Sequence, residues 1–97
     1  NMAGGLRLQD PALDLAVVAA ILSSTLDVAL PIGTVFAGEV GLSGEIRPVS
    51  RLPQRIAEAE RMGMKRMFVS GHAGELGTKK MELVFVKRVS DLHGKLF

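Results

Sequence analysis

A hydroxyl nucleophile needs a base within hydrogen-bond reach. The candidates in this chain are Ser23, Ser24, Ser43, Ser50, Ser70 and Ser90, and the spacing of none of them implies a base partner. Ser23 and Ser24 fall late in an apolar helical stretch, where a hydroxyl usually bonds back to the preceding turn. Ser50 and Ser90 stand where helix caps stand. Cysteine is absent, which excludes thiolate catalysis, disulfides and Cys-based zinc sites. His72 and His93 are far apart and lack the paired spacing of a metal motif, so they read as surface histidines. There is no GxxxxGK(S/T) loop and no GxGxxG after a strand. Gly38, Gly41 and Gly44 recur every three residues, which the freedom of glycine at positive φ explains without a ligand. Asp14 is a carboxylate inside an apolar run and must be solvated or paired. Its place in a first helical turn favours a dipole and capping role, with contact to a partner as the alternative.

Charge is the other chemical signal. Net charge is +2, but between positions 47 and 66 six basic residues (Arg47, Arg51, Arg55, Arg61, Lys65, Arg66) stand against two acidic ones. The first thirty residues carry one basic residue, Arg7, and three aspartates. Such a local excess fits an anionic partner, and it equally fits a solvated helix face.

The elements that must position these groups follow from punctuation and period. A strand is expected to end at 6–8. Asp10-Pro11 reads as a helix start, with Asp as cap and Pro in the first turn, and the helix runs to about Leu26. It is apolar nearly all round, so it is expected to be the central buried helix. Pro31-Ile32-Gly33 marks a turn. Residues 34–38 read as a strand whose hairpin partner, after the turn 41–44, is 45–49. A helix over 51–62 places Leu52, Ile56 and Ala59 inward and turns Arg51, Arg55 and Arg61 outward, where Lys65 and Arg66 would widen the basic face. Gly63 is expected to end it in a left-handed cap. Strands at 65–69 and 82–86, joined by the Gly-rich loop 71–78, precede a short last helix capped by Ser90. The pattern is α/β, or α+β, in one domain of 97 residues.

With 47% hydrophobic residues and only four aromatics, all Phe, the core must be mostly aliphatic. The most apolar run, 12–22, is interrupted by Asp14 and too short to span a bilayer, so no membrane association is expected. The opening has no basic cluster of the kind that begins a signal peptide. Absence of cysteine fits a reducing compartment. The start at Asn1 reads as if cut from something longer.

Gly38-Glu39-Val40-Gly41-Leu42-Ser43-Gly44-Glu45-Ile46-Arg47-Pro48-Val49 resembles a stretch of the Lon proteolytic domain, and Leu52, Ala57, Ala59, Gly63, Lys65 and Val69 continue the likeness. Asn1 to Arg7, the run Asp10-Pro11-Ala12-Leu13-Asp14-Leu15-Ala16 and Val49-Ser50-Arg51-Leu52 followed by Gln54-Arg55 resemble the RadA (Sms) branch of Lon-like domains. The likeness covers nearly the whole chain and is weakest after Gly71. It implies a Lon-like, ribosomal-protein-domain-2-like fold, with a mixed sheet packed by helices and the N-terminal strands of the domain missing. Proteolysis in that family uses a serine and a lysine. The resemblance places Ala12 at the serine position and Pro53 at the lysine position, so no catalytic residue is carried over and a pseudoprotease is expected. It further implies the C-terminal domain of a recombination and DNA-repair ATPase, serving as a hexamerisation scaffold in a ring-shaped homo-oligomer. Auxiliary DNA-backbone contact would come through Arg47, Arg51, Arg55, Arg61, Lys65 and Arg66. No cofactor or metal is expected in this domain, and ATP and zinc belong to other parts of such a protein. The alternatives are a purely structural domain packed on the ATPase core and a residual hydrolase using Ser43 or Ser50.

Overall fold

The computed structural model describes residues 10–77 and 80–97. The expected strand at 6–8, the Asn1–Arg7 motif and Thr78 lie outside the described residues.

The first helix starts where Asp10 and Pro11 direct it. Asp10 Oδ1 accepts from the Ala12 N–H at 3.0 Å, and the Leu13 N–H donates to the Asp10 carbonyl at 3.0 Å. That three-residue step makes Pro11–Leu13 a 3-10 turn, and α1 proper spans Asp14–Leu26. The helix ends with Asp27 in the left-handed region at φ 56°, the Val28 N–H reaching back to the Ser23 carbonyl at 3.0 Å. This is a Schellman closure with aspartate where glycine usually stands.

Three strands, β1 (Thr34–Ala37), β4 (Arg66–Ser70) and β5 (Glu82–Val86), form a parallel sheet in the order β1-β4-β5. Between β1 and β4 lie a two-stranded ribbon, β2 (Glu39–Val40) with β3 (Ile46–Arg47), and the helix α2 (Leu52–Arg61). The expected hairpin therefore exists but is shorter, and residues 34–37 belong to the parallel sheet instead. Gly38 makes the break. Its N–H donates to the Ala12 carbonyl at 3.2 Å, its carbonyl accepts from Leu15 at 3.0 Å, and the side chains of Leu15 and Ile46 press on its α-carbon. A residue bonded through its N–H to the 3-10 turn and through its carbonyl to α1 cannot continue the β1 ladder.

Alternation along the strands sorts two cores. Val35, Ala37, Met67, Val69 and Leu83 pack with Leu52, Ile56 and Ala59 of α2. Phe36, Phe68, Val84 and Val86 pack with Leu15 and Ala19 of α1 and with Leu92 and Leu96 of α3 (Leu92–Leu96). Phe36 and Phe68 stack across β1 and β4 with centroids 5.2 Å apart. The fold is α/β, a parallel sheet with helices on both faces, as the pattern of elements implied.

Two local expectations differ. Helix α1 is not the central buried helix: only Leu15 and Ala19 are buried within it, while Val17 and Ile21 are 54% and 58% exposed. Its apolar composition exceeds what this sheet can cover. Ser50 and Ser90 are not side-chain caps: Arg51, at φ 60°, occupies the cap of α2, and Ser90 sits inside the 3-10 turn Val89–Asp91 that leads into α3. Gly63 does close α2, at φ 84°, with Gly63 donating to Glu60 and Met64 to Ala59, both at 3.0 Å.

Candidate functional site

Open parallel sheets place ligand sites beyond the carboxyl ends of their strands. Here that end collects the start of α1, the β2–β3 ribbon, the start of α2 and the segment after β5. Three polar side chains fasten these pieces together. Asp14 Oδ2 accepts from the Val40 N–H at 3.1 Å, joining α1 to the ribbon. This combines the first-turn position read from sequence with a contact inside the chain. Ser70, fully buried, donates to the Ile46 carbonyl at 2.7 Å and accepts from the His72 N–H at 3.0 Å. Arg55 donates to the Ser50 carbonyl at 3.0 Å and lies 3.7 Å from Asp10 Oδ2, drawing the first turns of α2 against the segment that enters α1.

That last pairing brings the regions of Ala12 and Pro53 to one end of the molecule. Ala12 is buried, 3% exposed, in the turn before α1, and Pro53 is exposed in the first turn of α2. Among the described residues the serine hydroxyls bond only to backbone groups, Ser23 to the Val28 carbonyl and Ser70 as above.

Glu45 organises the ribbon. Its carboxylate accepts from the Ser43 N–H at 3.1 Å and from the Arg47 guanidinium at 2.6 and 3.1 Å. It folds over Gly41, where a Cβ would overlap it. The backbone N–H of Glu45 first, and the Arg47 side chain second, hold the Glu45 carboxyl below the usual carboxylate range. The same partnership raises Arg47. The turn closes by Gly44 donating to Gly41 at 3.0 Å with Gly44 at φ 83°, and Arg88 donates to the Ser43 carbonyl from the side.

The six basic candidates separate. Arg47, Arg51 and Arg55 stand at the carboxyl end of the sheet. Arg61, Lys65 and Arg66 stand at the amino end, beyond an α2 that is about 15 Å long by its ten residues. Arg47 also lies 3.8 Å from Glu39, Arg61 pairs with Glu58, and Arg66 sits over the Phe68 ring at 5.1 Å. Arg51 and Lys65 have no such side-chain partner among the described residues. The fold adds cations that spacing did not bring together. The Ile46 N–H donates to the Lys87 carbonyl at 2.8 Å, so Lys87 and Arg88 join Arg47 beside the ribbon. A long-range backbone bond leaves no signal in a sequence.

Two hollows open on the surface, one along the length of α2 and one at the carboxyl end. One, of about 420 Å³, lies between α2 and β1, with Val35, Met62, Met64 and Met67 in its wall and Arg51 and Arg55 at its rim. The other, of about 250 Å³, is lined by Gly71, Phe85, Lys87, Asp91 and Lys95. Among the described residues no three His, Asp or Glu side chains converge as a metal site, and no helix is long and apolar enough to cross a membrane.

A family model described as subunit ChlI of Mg-chelatase matches residues 1–73. DNA repair protein RadA of Brucella abortus is 47% identical over 76 residues, 78% of this chain and 16% of that protein. RadA of Bacillus subtilis is 42% identical over 93 residues, 94% of this chain and 20% of that protein. RadA of Streptococcus pneumoniae is 39% identical over 97 residues, 98% of this chain and 23% of that protein. The chain thus spans about a fifth of the length of these curated relatives. It belongs to the ChlI family that this model describes, and it is a homologue of the RadA DNA repair proteins.

Proposed function

We propose that this chain is a non-catalytic, Lon-like domain of a RadA-type recombination ATPase. It acts as a scaffold for self-assembly and, secondarily, as a contact for the DNA backbone. The observation that carries the scaffold reading is the uncovered side of α1. Leu13, Val17 and Ile21 follow at four-residue spacing and are each about half exposed, with Leu26 and Val28 continuing the apolar surface. A row of this kind on one helix face is the form in which helices meet partners. A second copy of the chain is the occupant proposed, in a ring-shaped homo-oligomer. Ala12 offers no attacking oxygen and Pro53 no proton acceptor, which supports the pseudoprotease reading.

Analytical ultracentrifugation tests the scaffold. The chain is expected to sediment above monomer mass at high protein concentration, and Val17→Glu with Ile21→Glu returns it to monomer. An unchanged mass distribution would end this reading. DNA contact is tested by fluorescence anisotropy with duplex DNA. Weak binding that falls between roughly 50 and 200 mM salt is expected, and it should fall further in Arg51→Glu with Arg55→Glu. A specific observation favours the rival reading of a structural domain packed on the ATPase core. Arg47, Arg55 and Arg61 already face carboxylates within the chain, which leaves less free charge for phosphate. If no duplex binds at low salt, that rival stands. The ATP and zinc of the parent protein, and its cytoplasmic location, belong to the same proposal.

A further inference from the structure

We propose that the hollow between the end of β5 and α3 takes one nucleotide of single-stranded DNA. Its base would lie on the Phe85 ring and its phosphates between Lys87 and Lys95. The inference deepens the DNA half of the proposed function and rests on it.

Phe85 is 44% exposed, on a strand whose neighbours Val84 and Val86 pack toward α1 and α3. Its ring therefore lies on the other face of the sheet, yet it joins neither core: among the described residues β5 is an edge strand, and the α2 core reaches along it only to Leu83. Two residues on, Lys87 projects from the same face about 6.5 Å further along. This puts an ammonium within reach of the phosphate of a nucleoside stacked on the ring.

Lys87 is held in place before any ligand arrives. Its carbonyl accepts from Ile46 at 2.8 Å, and the preceding carbonyl, of Val86, accepts from Gly71 at 2.9 Å. Its aliphatic stem lies against Gly71, where any Cβ would collide with the Lys87 Cγ. Less side-chain freedom is then lost on binding. Lys95 and Asp91, one helical turn apart, close the hollow from the side of α3. The ion pairs among the described residues involve neither lysine. Asp91 supplies an acceptor for an N–H on the edge of the base, such as N3–H of thymine.

The combination selects among anions. Lysines alone would hold an acidic peptide or a duplex backbone, but an exposed aromatic face beside them fits an unstacked base, which a duplex hides. The volume of about 250 Å³ is below that of pockets for drug-sized molecules and suits one flat ring system.

The chain contains no tryptophan, so Phe85→Trp introduces a single reporter. Titration with a thymidine oligonucleotide of about 15 nucleotides should quench its emission in step with anisotropy of the labelled strand. Phe85→Leu, which keeps an apolar strand residue but no ring, should weaken single-strand binding about tenfold and leave duplex binding unchanged. Lys87→Gln should lower the salt slope of single-strand binding by about one. Circular dichroism confirms that each variant folds. Single-strand binding without quenching, or with no loss in Phe85→Leu, overturns the Phe85 site and leaves the wider DNA reading standing. Quenching by polyglutamate equal to that by the oligonucleotide also overturns it, because the hollow would then be a generic anion site. Failure of duplex and single strand alike at low salt removes both.

Discussion

The two ends of the parallel sheet carry comparable numbers of arginines and lysines, yet they are held together by different means. At the carboxyl end, side chains bridge elements distant in sequence: Asp14 to Val40, Ser70 to Ile46 and Arg55 to Asp10, with one main-chain bond from the Ile46 N–H to the Lys87 carbonyl beside them. At the amino end, main-chain closures dominate. Gly63 caps α2, and the Lys65 and Arg66 N–H groups both donate to the Gly33 carbonyl, at 2.8 and 3.1 Å. Among the described residues the one tertiary side-chain tie there is Glu60, which accepts from the Lys80 N–H at 2.9 Å and the Met81 N–H at 3.1 Å from a partly exposed position. The difference teaches that a run of basic residues does not define a surface. What each cation is already bonded to decides whether it is available, and the end with more buried polar ties is the one whose geometry is fixed in advance.

The sharpest way to break this comparison is to cut one tie at each end. Ser70→Ala strands the Ile46 carbonyl and the His72 N–H in a buried site, and it should cost about 2–3 kcal/mol. In a domain of this size that lowers Tm by about 10 °C or more. Glu60→Ala at the other end loses its acceptor where water can replace it and should cost about 1 kcal/mol. Urea denaturation of both variants decides: equal losses would mean that the carboxyl end is no more dependent on its polar ties than the amino end.

A substitution of opposite sign sharpens the same contrast. Arg51 holds φ 60° without a glycine's freedom, and its side chain caps nothing. Arg51→Gly should therefore raise stability by roughly 1 kcal/mol while removing a cation from the proposed DNA contact. Thermal unfolding and anisotropy are expected to move in opposite directions, with Tm up and duplex affinity down. A fall in both would show that the arginine supports the fold, and that its strained backbone is not relieved by glycine.

How far the sequence exposed this arrangement depends on the range of each interaction. Local chemistry was readable: Asp10-Pro11 starts a helix, Gly63 ends one, and Leu52, Ile56 and Ala59 face the core. Pairing over distance was not. Residues 34–37 have the composition of either a hairpin or a parallel strand, and only the tertiary bonds of Gly38 to Ala12 and Leu15 select the second. The apolar run of α1 promised full burial, but burial depends on how much sheet there is to cover it. That Phe85 stays 44% exposed is likewise not legible in the strand 82–86, because it follows from the place of β5 at the edge of the described sheet. At the candidate site, Asp14 and the cations were legible as types, while the clasp of Glu45 around Gly41 and the arrival of Lys87 were products of folding.

The smallest expected effect lies in that clasp and concerns pH. The Glu45 carboxyl is held below its ordinary range in the folded chain, by its own backbone N–H and then by Arg47. A carboxyl that releases its proton more readily when folded stabilises the fold above its unfolded value, about pH 4.3, and that contribution disappears as pH falls through the lower folded value. The Glu45 side chain is 29% exposed, open enough that solvent screens the effect, and global stability should scarcely register it. The local signal is clearer. In an NMR titration, the Ser43 amide, which donates to Glu45 Oε1 at 3.1 Å, should shift with a midpoint below that of glutamate in an unstructured peptide. Arg47→Gln should move the midpoint back toward the peptide value but not all the way, because the backbone donor remains. A midpoint at the peptide value in the unaltered chain would mean that the ribbon is not clasped in solution. The carboxyl end would then lose one element of its preorganisation, and the contrast with the amino end would rest on Asp14, Ser70 and Arg55.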